Sequence, residues 1–174
     1  VDHADAFLDT DALERERVRA LQELQARQSE LTRQIITALS NSVEAKDRYT
    51  NGHSQRVAAY AREIARRMGW SPEECQRVYD TSLLHDVGKS RVPDAIINKT
   101  DRLTPAEYDE MKLHTMAGYF ILKQISAISD YAIGARWHHE RYDGTGYPNG
   151  LSGENIPMIA RIVGVADAYD AMSS

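Results

Sequence analysis

The sequence predicts an all-α protein, and three observations carry that reading. Residues 1–48 contain no glycine and no proline, are rich in charge and glutamine, and repeat apolar residues at heptad spacing. Two helix-start signals follow, Ser71-Pro72-Glu73-Glu74 and Thr104-Pro105-Ala106-Glu107. No segment reads as a convincing strand, and there is no internal repeat.

The elements can be justified in order. Leu21, Leu24, Gln28, Leu31, Ile35 and Ala38 alternate three and four residues apart. They predict a long N-terminal helix whose seam forms a parallel dimeric coiled coil, with Gln28 as a polar residue that fixes register. The other reading of the same stripe is a helix packed on its own domain. The chain divides near residue 48, giving a linker helix over 1–48 and a second domain over 49–174. A helix over 54–68 stops at Gly69. Ser71 caps the next helix, which is expected to run to about 87, end at Gly88, and deliver His85 and Asp86 at its C-terminal end. Thr104 caps another, on which His114 and Gly118 share one face because they are four residues apart. A helix over about 129–139 is expected to end with His138 and His139. Asp143-Gly144-Thr145-Gly146-Tyr147-Pro148 must be a loop. Pro157 opens a last helix bearing Asp167 and Asp170.

Composition narrows the function. Hydrophobic residues make up 42% of the 174-residue chain, enough to bury a core. Formal net charge is −5, which argues against a generally basic face for DNA. An anionic substrate would need bound metals and a few local cations. Cys75 is the lone cysteine, so no internal disulfide forms, and it reads as a buried small apolar residue. No apolar run approaches the roughly 18 residues that span a bilayer, and no signal peptide is visible. Reducing cytoplasm is the expected compartment. Because the first residue is Val1, the chain reads as a piece of something longer.

Five of the six histidines, all but His3, lie in short polar motifs. His85-Asp86 and His138-His139 are adjacent pairs, while His53 and His114 sit on other helices. Imidazole and carboxylate together suit divalent iron, manganese, nickel and zinc. One buried histidine alone is more often a hydrogen-bonded core residue than a ligand. Five independent core histidines in this arrangement are hard to explain. Asp86 has two oxygens and can bridge two metals, with His53, His85 and Asp167 around one ion and His114, His138 and His139 around the other. Two such ions can activate a bridging hydroxide for in-line attack at phosphorus. Asp167 follows the apolar run Ile162-Val163-Gly164-Val165-Ala166, where a carboxylate is costly unless paired or metal-bound. Asp170 reads as a surface residue or one that supports a ligand. Lys89, four residues after His85, reads as a phosphate-binding cation. Its other reading is a lysine on the helix C-terminal dipole.

These motifs reach a known pattern. His85-Asp86-Val87-Gly88-Lys89, His114-x-x-x-Gly118, His138-His139-Glu140, Asp143-Gly144-x-Gly146-Tyr147-Pro148 and Asp167 make residues 44–174 resemble the HD-GYP subgroup of the HD phosphohydrolase superfamily. The resemblance implies an HD-type helical bundle with a bimetallic centre, iron or manganese being preferred. It implies hydrolysis of cyclic di-GMP to pGpG, and on to GMP in some members, as the output of an upstream sensor or receiver domain. Another cyclic dinucleotide such as cyclic GMP-AMP, or a catalytically silent sensing module, are the alternatives. Asp143, Gly144, Gly146, Tyr147 and Pro148 would shape the nucleotide cleft. Gly144 and Gly146 would allow positive φ and close backbone approach, and Tyr147 would stack on guanine or hydrogen-bond through its hydroxyl. The same loop could instead brace His138 and His139, or contact a diguanylate-cyclase partner. Two departures stand out. Tyr49 occupies the position where some similar domains carry a glutamate for a third metal, so two metals are expected. The family also continues past Asp167 with further helices and basic residues, whereas this chain stops at Ser173-Ser174 and reads as incomplete there.

Overall fold

A computed structural model describes residues 3–47 and 52–173, with side chains from residue 11 onward; Tyr49 lies outside the described residues. Among the described residues seven α-helices run as α1 (His3–Glu44), α2 (His53–Arg67), α3 (Pro72–Leu83), α4 (Asp94–Ile97), α5 (Pro105–Lys123), α6 (Ala132–Trp137) and α7 (Met158–Ser173). Short 3₁₀ turns cover Val87–Arg91, Ser126–Tyr131 and Gly153–Asn155, and no strand occurs among the described residues. The chain divides into two compact units, Val1–Ile35 and Ile36–Ser174.

In the first unit Leu21, Leu24, Leu31 and Ile35 are all exposed, so the heptad face is uncovered within one chain. In the second, α1 contributes different residues to the core: Ile36 and Val43 are buried, whereas Ala38 is exposed.

Both predicted capping boxes form. The Ser71 and Thr104 hydroxyls accept from the Glu74 and Glu107 amides, and those glutamates accept in return from the cap amides. Each box satisfies two donors that a helix start otherwise leaves unpaired. Two clusters fill the interior. One joins Ile36, Val43, Ala58, Leu84, Leu122, Ile128 and Ala135. The other joins Val57, Ala61, Cys75, Val78, Ile162 and Ala166, with Cys75 buried as expected. A side chain such as Leu84, fully removed from water, contributes about 1.5–3 kcal/mol.

Two predicted helices end differently. α3 stops at Leu83 rather than near 87, and His85 and Asp86 occupy a turn leading into the Val87–Arg91 3₁₀ segment. The His85 ring takes the Ser82 carbonyl as an acceptor at 2.7 Å, and the backbone tightens to i→i+3 bonds. Early termination lets Gly88 lie against α5, where an added Cβ would sit 2.5 Å from the Gly118 nitrogen. The expected helix over 129–139 is instead a 3₁₀ turn followed by the short α6, with His138 and His139 in the turn beyond it. That segment lacks a side-chain cap, and the Ser129 hydroxyl bonds the Ser126 carbonyl locally.

Candidate metal centre

The seven predicted ligands are delivered by five separate pieces of backbone. His53 is the first residue of α2, entered through Gly52 at φ 72°. The Glu44 carboxylate caps that start, accepting from the Gly52 amide at 3.2 Å and the Ser54 amide at 2.7 Å. His85 and Asp86 come from the turn after α3, His114 from the middle of α5, His138 and His139 from the turn after α6, and Asp167 from α7.

The structure brings all seven together. His114, His138 and His139 can offer ligand atoms within 4.8 Å of one another, as can His53, His85 and Asp86, and His85, His138 and Asp167. Asp86 lies between the two sides. Its Oδ2 is 3.4 Å from His85 Nε2, and its Oδ1 is 3.4 Å from His114 Nε2 and 3.9 Å from His138 Nε2. Asp167 Oδ1 is 3.2 Å from His53 Nε2 and 3.8 Å from His85 Nε2.

Four of the imidazoles are oriented by hydrogen bonds at Nδ1. The Nδ1 atoms of His85, His114 and His138 donate to the carbonyls of Ser82, Met111 and Gly134 at 2.7, 2.7 and 2.9 Å. A carbonyl only accepts, so Nδ1 carries the proton and the neutral ring turns its Nε2 lone pair to the centre. His53 does the same through a carboxylate: Nδ1 donates to Asp170 at 2.7 Å. Asp170, left open by the sequence, is buried and anchored by the Arg56 guanidinium through both oxygens. Its spacing, three residues after Asp167, is a signal for a supporting residue that could have been used more firmly.

Two features fit a cation. Buried His85 Nε2 has no hydrogen-bond partner. His114 Nε2 and His138 Nε2 face each other at 3.3 Å, two lone pairs in contact unless a proton or metal lies between them. A nitrogen-rich site with one buried carboxylate, Asp86, and one half-buried, Asp167, suits a divalent transition metal.

Electrostatics agree. Burial drives the pKa values of His114 and His138 down, and neighbouring His139 and His85 lower that of His138 further. Burial, helped by His114, brings His139 to about 4. Burial opposes ionisation of Asp86, but Lys89, His85, His114 and His138 outweigh it and hold the carboxyl well below its ordinary range. Burial likewise opposes charge on Asp167, and the His53 bond overcomes it. His53 moves the other way: burial disfavours its proton, yet Asp167 and Asp170 raise its pKa. That proton must leave before Nε2 can bind a metal.

Lys89 Nζ sits 2.6 Å from Asp86 Oδ2, inside the site and not at a solvated helix end. A cleft of about 900 Å³ opens beside the histidines, lined among others by Asp143, Gly146, Tyr147, Arg161 and Asp167. The loop after His139 is braced by Glu140, which accepts from the Asn149 and Leu151 amides at 2.6 and 2.9 Å. Gly144 has the expected positive φ, 78°, but Gly146 does not. Gly146 is required for closeness instead: a Cβ there would lie 2.5 Å from the His139 carbonyl oxygen and 2.6 Å from Glu140 Cα. One face of Tyr147 stacks on His139 at 4.8 Å between centroids, and Pro148 follows through a cis peptide. Asp143 accepts from the Thr145 amide and hydroxyl and so shapes the loop from within.

A family model described as HD domain matches residues 37–174. The chain belongs to the HD domain family. Its His85-Asp86 pair and Gly146-Tyr147-Pro148 run are the motifs of the HD-GYP subgroup that the sequence resembles. It is 38% identical over 165 residues to the cyclic di-GMP phosphodiesterase response regulator RpfG of Xanthomonas campestris pv. campestris, across 94% of this chain and 43% of that protein. It is 41% identical over 140 residues to the 3'3'-cGAMP-specific phosphodiesterase 3 of Vibrio cholerae, across 80% of this chain and 30% of that one. The chain therefore spans less than half the length of either relative. Among solved structures, an HDG"Y"P protein of Bdellovibrio bacteriovorus superposes with a TM-score of 0.61 at 25% identity, covering 70% of this chain and 40% of the other. No described helix is long and apolar enough to cross a membrane.

Proposed function

We propose that this HD domain is a metal-dependent phosphodiesterase that hydrolyses cyclic di-GMP to pGpG. The observation that carries the reading is the convergence of five imidazoles on Asp86 and Asp167, with three rings locked by backbone carbonyls so that Nε2 faces inward. His53, His85 and Asp167 would hold one divalent ion and His114, His138 and His139 the other, with Asp86 between them. Iron or manganese is the proposed pair, and nickel or zinc would also accept these donors. Such a pair, when bound, would lower the pKa of a water and neutralise phosphate charge. Lys89 engages a phosphate oxygen or the leaving oxygen, and its short contact to Asp86 supports that placement. The loop from Asp143 to Pro148 forms one wall of the nucleotide cleft, and its stacking of Tyr147 on His139 also steadies a ligand.

Residues 1–48 are proposed as the linker helix and 49–174 as the catalytic domain. The exposed Leu21, Leu24, Leu31 and Ile35 support a homodimer through that helix. An upstream sensor or receiver domain, a diguanylate-cyclase partner at the Gly146-Tyr147-Pro148 loop, and a cytoplasmic location complete the reading. The printed name of the Vibrio cholerae relative makes 3'3'-cGAMP the competing substrate.

The test is turnover of cyclic di-GMP, 3'3'-cGAMP and cyclic di-AMP by protein loaded anaerobically with Fe(II) or Mn(II), with metal counted on the same sample. Two metals per chain, pGpG as product and silence in His85→Ala and Asp86→Ala are expected. Full activity in a folded Asp86→Ala protein would exclude the mechanism.

A further inference from the structure

The segment that closes α1 reaches into the site. Lys46 Nζ donates to the carbonyls of Val92 at 2.6 Å and Ser90 at 3.3 Å, and pairs with Asp94 at 3.0 Å. Asn98 returns a bond to the Lys46 carbonyl at 3.1 Å. Glu44 caps the helix that begins with His53. Next to Lys46, Asp47 presents a side chain only 10% exposed, with Oδ2 3.7 Å from Lys89 Nζ.

Asp47 does not belong to any of the ligand groups. That matters because Lys89 has its shortest contact with Asp86, whose two oxygens face different histidines and are committed to metal on the reading above. A carboxylate drawn to two cations holds an ammonium less firmly, and the cations repel the ammonium directly. Asp47 is a second carboxylate beside Lys89, outside those ligand groups. Lys46, the residue before it, ties this stretch of backbone to the 3₁₀ turn that carries Lys89.

We infer that Asp47 is a positioning residue that keeps Lys89 aimed into the site once Asp86 serves the metals. Nothing in the ligand motifs marks Asp47, because it acts through a lysine 42 positions away. The inference rests on the hydrolase reading.

A double-mutant cycle tests it, run on metal-loaded protein with both cyclic di-GMP and bis(p-nitrophenyl) phosphate. Asp47→Asn should lower kcat roughly 10–100-fold, the usual cost of losing a supporting partner, with two metals retained. In a Lys89→Ala background the same change should have no further effect beyond about twofold, because coupled residues do not add. Asp47→Glu, which keeps the charge, should recover most of the activity. Equal losses in both backgrounds, or loss of metal or helicity in Asp47→Asn, would mean a structural role and overturn the inference. Hydrolysis of the nitrophenyl ester without any cyclic dinucleotide would overturn only the substrate assignment. Silence of the wild type on both substrates would remove the hydrolase reading and this inference with it.

Discussion

Gly88→Ala should damage the metal centre without touching a ligand. The 3₁₀ turn carrying His85 and Asp86 meets α5 at Gly88. A Cβ there would lie 2.5 Å from the Gly118 nitrogen and 2.8 Å from the His114 carbonyl carbon, and would overlap the His114 carbonyl oxygen. Ordinary contact begins at 3.4 Å, so the two segments must part by at least 0.9 Å at Gly118, which is 3.4 less 2.5. The obstacles are backbone atoms of a packed helix, so no side-chain rotation relieves them. Overpacking of this kind costs about 1–3 kcal/mol, occasionally more. For a domain of this size that is a fall in Tm of roughly 3–10 °C. His114 sits on the segment pushed away, and ligand distances tolerate only about 0.2 Å. Metal content should therefore fall from two to one or fewer per chain. Gly69→Ala is the control: nothing lies within 4 Å of its Cβ, and only the positive φ of 83° is strained. It should cost about 1–2 kcal/mol and leave the metals in place. Calorimetry and elemental analysis of the three proteins give the answer. A Gly88→Ala protein with wild-type Tm and two metals would refute the packing argument.

Other perturbations probe the same site. Asp170→Asn weakens the acceptor that orients His53 and leaves Arg56 without its carboxylate; metal affinity should fall roughly 10–100-fold by chelator competition. Glu140→Ala removes the acceptor of the Asn149 and Leu151 amides, and hydrogen exchange at those two amides should accelerate first. In the apo protein, His139 has its folded pKa lowered from 6.5 to about 4 by burial and His114, so the unfolded chain takes up this proton first as pH falls. Its stabilising contribution is complete above 6.5 and lost on descending toward 4, so apo Tm should drop across that window. Metal binding should weaken in the same direction, since protons compete for the imidazoles. A Tm that rises from pH 7 to 4 would contradict the burial of His139.

The site was legible because its chemistry is concentrated in a few residue types. Histidines paired with each other or with aspartate announce themselves at any distance along the chain, and the capping boxes at Ser71 and Thr104 are local events that need no tertiary partner. Helix ends near the centre were not legible. α3 stops at Leu83 because the His85 ring captures the Ser82 carbonyl and Gly88 must reach α5, and neither partner lies in the local pattern. Gly146 shows the same limit. Composition marks a flexible residue, but the reason for it is contact with the His139–Arg141 backbone, while positive φ falls to Gly144.

By itself, the sequence determined the all-helical class, two helix starts and the His and Asp residues to watch, since these follow from residue type and short-range spacing. Only the tertiary structure decided that Asp170 and Arg56 hold His53, that Asp47 and Lys46 bind the turn around Lys89, and that the rings of His85, His114 and His138 turn Nε2 inward. Those are contacts between residues 40 to more than 100 positions apart, or orientations fixed by a particular carbonyl. No periodicity encodes them; they exist only once the helices have packed.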